Sequence, residues 1–356
     1  MASRSYRKLK NGLKKFLVKE PVYMWLLIFI LVINVLTLIP NPDKAPEDQA
    51  SGKKEPPAVN VLDNKAELEK AVMRDSKVAT VISLVVSAVA ISVFLGIVLD
   101  FAILLVSSGG KTIFKRSHAP PKIRWSIWDA LKVIILFFFF GYCIAIMGAL
   151  ILPIFPKGAD TGAIVSIIST TIMDIMGIVI IFYFAFFCYR HKARDLGLTL
   201  KNFFRNVLYG FVGYLSALPV LFVTLIVTAL IVELARYKPA PQPVFNLFMG
   251  EKSAPVLAYL AIFVAVAGPI MEEIFFRGFV YTAFKKEIGV NGAVVASAFL
   301  FSLLHVHLIG FLPILILGIF LAYLYEKTGS LVSSITVHVL HNLVMVGFIF
   351  LLKGLT

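Results

Sequence analysis

The chain alternates between long apolar runs and short polar segments rich in Lys and Arg. A helix that crosses a hydrocarbon core of roughly 30 Å needs about 20 apolar residues. The pattern predicts an all-α, polytopic transmembrane helix bundle of about eight or nine spans, with no soluble domain between them. The last four runs lie so close together that one of them could be a short or re-entrant element. The nine apolar runs are 22–40, 79–106, 130–155, 162–188, 207–233, 255–276, 290–309, 311–326 and 332–352.

Composition supports a membrane protein and changes the meaning of the charge. Hydrophobic residues make up 59% of the chain and charged residues 15%, against roughly 25% charged in soluble domains. The net charge of +14 would suggest nucleic-acid binding. However, 21 of the 34 Lys and Arg fall in segments predicted on one side of the membrane, with only four acidic residues beside them. This is the positive-inside asymmetry, so the expected partner is a membrane and not a nucleic acid.

The same asymmetry predicts the topology. The N-terminal tail is basic, and no small-residue cleavage site follows its apolar run directly, which favours an uncleaved first span with the N-terminus in the cytoplasm. Residues 41–78 balance their charges and are predicted to face outward, with a short amphipathic helix from Glu67 to Lys77. The segments predicted to be cytoplasmic are 107–128, 189–206, 277–289 with Lys285 and Lys286, and the turn at Glu326-Lys327.

The organisation along the chain divides into three predicted parts. Residues 1–125 hold the basic tail, two spans and the outward loop; 126–254 hold three further spans; and 255–352 form a helical core with most of the intramembrane polar groups. Cys143 and Cys188 both lie in apolar runs, so a disulfide framework is not expected and their spacing matches no metal site.

Ionisable side chains within spans are costly and therefore candidates for function. Asp100 and Asp174 are isolated acids that we expect to be hydrogen-bonded or interfacial. Asp129 lies three residues after Ser126, which is the spacing of a capping box at a helix start, and Lys132 lies beside it at the interface.

The C-terminal hundred residues differ, because three successive apolar helices carry carboxylate, imidazole or carboxamide groups. In an apolar bundle such groups should converge, since only mutual hydrogen bonds, a shared water or a metal can satisfy them. In each cluster, residues four apart share a helix face. The three clusters are Glu272-Glu273-x-x-x-Arg277, Phe301-x-x-x-His305 and His338-x-x-x-Asn342.

These groups fit two kinds of chemistry. A Glu, two His and an Asn can activate a water and stabilise an oxyanion. A His-His-Glu set could equally hold zinc with an open fourth position. Taken singly, the Glu pair with Arg277 could be an interfacial charge cluster, and a lone histidine is more often a core residue. His307 and His341 fall outside the positions that the other groups require, although His341 could support a neighbour.

The three clusters in this order resemble the CPBP family of intramembrane proteases, which includes CAAX prenyl endopeptidases and bacterial bacteriocin-processing or immunity proteins of the Abi type. The resemblance covers roughly 255–350 and possibly Leu196-Gly197-Leu198, a feature that lies upstream of the family core. It implies an integral, multi-pass protein, and together with the C-terminal residues 353–356, which carry no retention signal, it favours a prokaryotic cytoplasmic membrane. The implied substrate is a membrane-associated peptide or protein, possibly lipidated.

The resemblance also implies roles for individual residues. Glu272 would be the general base that activates water together with His305, and His338 with Asn342 would form the oxyanion hole. Glu273 and Arg277 would order the site. The family has been described both as metalloproteases and as glutamate-dependent proteases. If a metal such as Zn²⁺ is used, Glu272, His305 and His338 are the implied ligands.

One expectation conflicts with the predicted spans. Glu272 should lie near the cytoplasmic end of the sixth span, yet His305 lies fifteen residues into the seventh, or about 22 Å along a helix. We therefore expect a span boundary to be wrong by several residues.

Two other functions fit the same residues. A catalytically inert relative could serve as a membrane scaffold or regulator, although the complete motif set argues against it. A proton-coupled transporter could use the acids and histidines as a relay, but the sequence shows no repeated halves and no obviously broken helix.

A protease would open its cavity to the cytoplasm and to lipid, which would let an apolar substrate enter sideways.

Overall fold

The computed structural model describes residues 12–14, 16–38, 76–117, 122–151, 153, 161–237 and 243–355. Within these residues the chain is helical, with no β-strand, so the predicted fold class is confirmed. The helices are α1 (Pro21–Leu38), α2 (Ser76–Ser108), α3 (Ile127–Ile151), α4 (Thr161–Phe182), α5 (Phe203–Leu234), α6 (Pro243–Gly250), α7 (Ala254–Ile262), α8 (Gly268–Glu273), α9 (Thr282–Leu304), α10 (Phe311–Thr328) and α11 (Leu331–Leu355). Three π-helical segments join some of them: π1 (Tyr183–Cys188), π2 (Phe263–Ala267) and π3 (Ile274–Tyr281).

The described residues contain seven helices that are long and apolar enough to cross a membrane. An eighth is counted if the bent pair Gly12–Lys19 and Pro21–Val35 forms one span. The stretch Ala254–Leu304 is counted once, although its 51 residues would extend about 76 Å as one helix. It is broken at Gly289, whose backbone is not helical, and this break separates the predicted sixth and seventh spans. Most of the predicted outward loop, including most of Glu67 to Lys77, lies outside the described residues.

The chain divides into two compact units. The first comprises Met1–Pro57, Ile123–Lys192 and Lys286–Ile288. In it, α1 packs on α3, and Glu20 forms an ion pair with Lys132 at 2.5 Å. One bond of the predicted capping box is present, because Asp129 accepts the backbone N–H of Ser126 just before α3 begins, and it also accepts the Ser126 hydroxyl.

The second unit comprises Ala58–Lys122, Ala193–Lys285 and Gly289–Thr356, and it contains the three motifs. Helix α5 packs against α2, α10 and α11. Gly210 allows a close approach between α5 and α11, since a methyl group there would collide with Thr336. Their apolar core is formed by Tyr214, Ala217, Leu221, Leu317, Leu321, Leu324 and Val337.

Asp100 has a defined polar partner within the membrane-spanning part of this unit. It accepts a hydrogen bond from the hydroxyl of Ser216 on α5. One turn earlier on α2, Gly96 lies against the Leu215 carbonyl and the Pro219 ring. In a regular α-helix the N–H of residue 219 would donate to the Leu215 carbonyl, but Pro219 has no N–H. Asp100 is therefore hydrogen-bonded where α2 meets α5, as the sequence analysis expects.

The helix that carries Glu272 is longer than its apolar pattern indicates. The predicted sixth span ends at 276, whereas helical structure continues through π3 and into α9 as far as Ile288. Residues 277–288 therefore continue this helix, which corrects the predicted end of the sixth span, while their cytoplasmic placement stays a prediction. The pattern failed here because polar Arg277, Lys285 and Lys286 find partners inside the protein.

This correction removes the conflict over the depth of His305. Glu272 precedes the break at Gly289 by seventeen residues, and His305 follows it by sixteen. If the chain reverses at Gly289, both residues lie about 25 Å from the break. Helix α9 also ends at Leu304, five residues before the predicted end of the seventh span, so His305 is its C-terminal cap.

The segment Leu196-Gly197-Leu198 packs onto the core that holds the motifs. Gly197 has a φ of +84°, and its carbonyl accepts the N–H of Leu331 at 3.0 Å. A methyl group at this glycine would approach the Tyr325 ring to 2.6 Å. Both the left-handed backbone and the close contact require glycine. Leu196 is fully buried and accepts a hydrogen bond from the Tyr325 hydroxyl.

Candidate active site

The structure brings residues of all three motifs into one cluster. Glu272 and Glu273 end α8, His305 caps α9, and His338 lies two turns into α11. Although separated by up to 66 residues in sequence, their side chains approach within 4 Å. Polar groups from all three motifs therefore converge, as the sequence predicts.

A buried ion pair forms the base of the cluster. Arg277 Nη1 donates to Glu273 Oε1 at 2.7 Å, and both side chains are 0% exposed. Arg277 Nη2 donates to the carbonyl of Gly318 on α10 at 3.1 Å, and its guanidinium lies 4.4 Å from the centre of the Phe301 ring. A buried charge pair is tolerated only when it is well hydrogen-bonded. Nη1 and Nη2 of Arg277 each donate one hydrogen bond here, whereas its Nε has no hydrogen-bond partner among the described residues.

Each histidine is oriented through its Nδ1 atom. His305 Nδ1 lies 2.7 Å from the carbonyl oxygen of Phe301, and His338 Nδ1 lies 3.2 Å from Glu273 Oε1. Carbonyl and carboxylate oxygens only accept hydrogen bonds, so both Nδ1 atoms carry the proton. In a neutral imidazole, Nε2 is then left with its lone pair, ready to accept a proton or a hydrogen bond.

Both Nε2 atoms face the same oxygen of Glu272. Its Oε2 atom lies 3.9 Å from His305 Nε2 and 3.8 Å from His338 Nε2. These distances are too long for direct hydrogen bonds, and this buried oxygen has no hydrogen-bond partner among the described residues. A water between them could donate its two O–H groups to two of the three atoms, and the third would need a proton of its own, as Nε2 has in a protonated imidazole.

Asn342 is placed differently. It lies one turn after His338 on α11, and its Nδ2 donates to the carbonyl of Val264 in π2 at 2.8 Å. Its amide therefore contacts the backbone ahead of Glu272 and not the Glu272 side chain.

Two supporting residues lie outside the roles expected from the motifs. Gly318 supplies a carbonyl to Arg277, and a methyl group at Gly318 would approach Ala298 to 3.1 Å. The Phe301 ring has its centre 4.5 Å from that of His305 and 5.6 Å from that of His338. The sequence gives no signal that Gly318 belongs to the site. Phe301 belongs to a predicted motif, but the sequence did not predict its role.

The two remaining histidines of this region have other contacts. His307 Nδ1 accepts the N–H of Gly310 at the start of α10. His341 packs edge-on against Tyr214 of α5, with ring centres 6.2 Å apart. Neither is among the groups that face Glu272, in agreement with the sequence analysis.

The implied zinc site can be tested against this geometry. Zinc–ligand bonds of about 2.1 Å place neighbouring tetrahedral ligands roughly 3.4 Å apart. The Glu272 and histidine atoms are 3.8 and 3.9 Å apart, and no group of three or more His, Cys, Asp or Glu in the described part of the chain could hold a metal ion as arranged. These residues therefore do not fit a zinc site, and no step is derived through a metal.

Comparison with protein families matches this same region. Residues 254–344 match the family described as type II CAAX prenyl endopeptidase, Rce1-like. The segment is similar to this family over 91 residues. This finding is consistent with the CPBP family and confirms the resemblance seen in the motifs. The match spans the whole cluster, because it begins eighteen residues before Glu272 and ends two residues after Asn342.

The matched segment makes up about a quarter of the chain. No curated protein and no solved structure matches the chain. The family match and the apolar helices together support a multi-pass membrane protease that acts on peptide substrates.

Proposed function

We propose that the protein is an intramembrane endopeptidase that uses Glu272 and His305 to activate a water. The observation that carries this proposal is the convergence of Glu272 Oε2 with two histidine Nε2 atoms at 3.8 and 3.9 Å, each histidine being fixed through Nδ1. The substrates are membrane-associated or lipid-anchored peptides or proteins, because the cluster lies within apolar helices.

The first step is removal of a proton from water. Glu272 Oε2 takes the proton while His305 Nε2 accepts a hydrogen bond from the other O–H, which directs the water oxygen toward a peptide carbonyl. The Phe301 carbonyl keeps His305 in the required tautomer. Exclusion of bulk water strengthens these interactions.

The second step is stabilisation of the tetrahedral intermediate. In its protonated form, His338 donates Nδ1–H to Glu273 and Nε2–H to the oxyanion. The buried Glu273 carboxylate stabilises this imidazolium, and Arg277 holds Glu273 in place. Glu272 then returns its proton to the leaving nitrogen as the C–N bond breaks. The resemblance implies that Asn342 belongs to the oxyanion hole as well, although its amide donates to the carbonyl of Val264.

The proposal predicts new peptide termini that depend on Glu272. Membranes containing the wild-type chain would be compared with membranes containing Glu272→Gln at matched expression, by mass spectrometry of peptide ends. The matched control is Glu233→Gln, which alters an exposed acid at the end of α5. We expect termini that are present with wild type and Glu233→Gln and absent with Glu272→Gln. Identical termini in all three would contradict the proposal and favour the scaffold or transporter.

A further inference from the structure

The helix that leads to Glu272 changes its hydrogen-bond pattern at π2. The Gly268 N–H bonds the carbonyl of Phe263, five residues back, instead of Val264, four residues back. In the five-residue pattern, the carbonyl of Val264 would take the N–H of residue 269. Residue 269 is Pro269, which has none. The Val264 carbonyl is thus left without a donor from its own helix in either pattern.

A carbonyl without a donor inside a membrane is costly, since no bulk water is there to satisfy it. Asn342 Nδ2 supplies the missing hydrogen bond at 2.8 Å. This contact joins α11 to π2 at Val264, three residues before π2 ends at Ala267. A side chain from another helix therefore completes the backbone of the element that carries Glu272.

We propose that Asn342 is a positioning residue, whose amide holds the Val264 carbonyl that Pro269 leaves without a donor and so fixes the turn that carries Glu272. Helix α11 then contacts this element at two points one turn apart, through Asn342 to Val264 and through His338 to Glu273. Glu272 lies three residues after Pro269, less than one turn away, so a shift at the interruption would move its carboxylate. The inference rests on the proposed function for its effect on catalysis.

This role differs from donation to an oxyanion, and the difference can be measured by restoring the missing backbone donor. Pro269→Ala provides an N–H at residue 269 that can bond the carbonyls one turn back. If Asn342 acts through Val264, its removal should then matter less. If Asn342 acts on the substrate, its removal should cost the same in either background.

The experiment is a double-mutant cycle of wild type, Asn342→Ala, Pro269→Ala and the double variant, purified as the full chain in detergent. Hydrogen–deuterium exchange over residues 263–273 reports on the interruption directly, and the rate of cleavage of a substrate found from its new termini reports on catalysis. Asn342→Asp, which keeps the shape but cannot donate when ionised, provides a second test if Asn342→Ala folds poorly. Leu343→Ala, an exposed neighbour on α11, is the matched control.

With Pro269 present, we expect Asn342→Ala to increase the rate of exchange about tenfold and to lower the rate of cleavage about tenfold. An effect of this size is typical of a buried carbonyl that loses its hydrogen-bond donor. With Pro269→Ala, we expect both effects to fall below about threefold. Equal effects of Asn342→Ala in both backgrounds, on exchange and on cleavage, would overturn the inference. If the wild type cleaves nothing, the proposed function fails, and the exchange measurements alone decide whether Asn342 holds this segment.

Discussion

At the scale of single residues, the site depends on the acceptors that fix the two imidazoles. The Phe301 carbonyl and the Glu273 carboxylate each take an Nδ1 proton, and both Nε2 atoms then face Glu272. A backbone acceptor for His305 does not depend on the type of side chain at residue 301, whereas the acceptor for His338 does depend on Glu273. Loss of Glu273 would therefore disturb His338 more than His305.

The Glu273–Arg277 pair gives a prediction at this scale. In Arg277→Lys, a single ammonium cannot reach both Glu273 and the Gly318 carbonyl as the guanidinium does. Because the pair is fully buried, we expect a loss of about 3 kcal/mol in the free energy of unfolding and a lower midpoint of thermal unfolding in detergent.

Arg194→Lys is the control for this prediction, since Arg194 is 69% exposed and should tolerate the change. An unchanged unfolding midpoint for Arg277→Lys would contradict this prediction, because a lysine would then stabilise the protein as well as the arginine does.

Residue spacing predicted much of this cluster and missed part of it. The four-residue spacing of Glu273 and Arg277 implies one helix face, and they do form an ion pair. The partners of Asn342 and Arg277 are backbone carbonyls, at Val264 and Gly318. Backbone acceptors carry no side-chain signal, so neither contact could be predicted from residue types.

At the scale of elements, the hairpin around Gly289 sets the distance between Glu272 and His305. Its two arms contain seventeen and sixteen residues, so the reversal brings both groups to the same level. Gly289 has φ 79° and ψ 179°, a conformation that is essentially restricted to glycine.

We therefore expect Gly289→Ala to destabilise the protein by about 1–3 kcal/mol and to lower cleavage, since the residue must strain or shift the hairpin. The measurements are thermal unfolding in detergent and cleavage of the same substrate. Gly347→Ala in α11 is the control, because a methyl group there meets nothing within 4 Å and its backbone is helical. A Gly289→Ala protein as stable and active as this control would show that the glycine is not required.

The elements also explain where hydropathy was insufficient. It located the apolar stretches well, yet it ended the sixth span at Phe276 although the helix continues to Ile288. The residues after 276 include charged groups that are satisfied within the protein, and Lys285 pairs with Glu326 at 2.7 Å. Hydropathy treats such groups as solvated, so it cannot detect a helix that continues past them. Three π segments among the described residues were likewise not predicted, although Pro269 marks one of them.

At the scale of the whole molecule, the charge distribution and the structure agree on one end of the second unit. Arg116 and Lys285, from two segments predicted to be cytoplasmic, both pair with Glu326, which lies in a third. Their placement together is what a common side of the membrane requires. The cytoplasmic orientation of this end and of the N-terminus stays a prediction, as does the division of the chain at 125 and 254. A protease whose site lies between apolar helices needs substrates that reach it from within or beside the membrane.

The most direct test of the central claim is cleavage by the purified full chain in water enriched in oxygen-18. Hydrolysis by an activated water should place one oxygen-18 atom in the new carboxylate of the product, and Glu272→Gln should lower the rate by about 10²-fold or more. Glu233→Gln should cleave at the wild-type rate. An unlabelled product, or a Glu272→Gln protein that cleaves as fast as the wild type, would contradict the account.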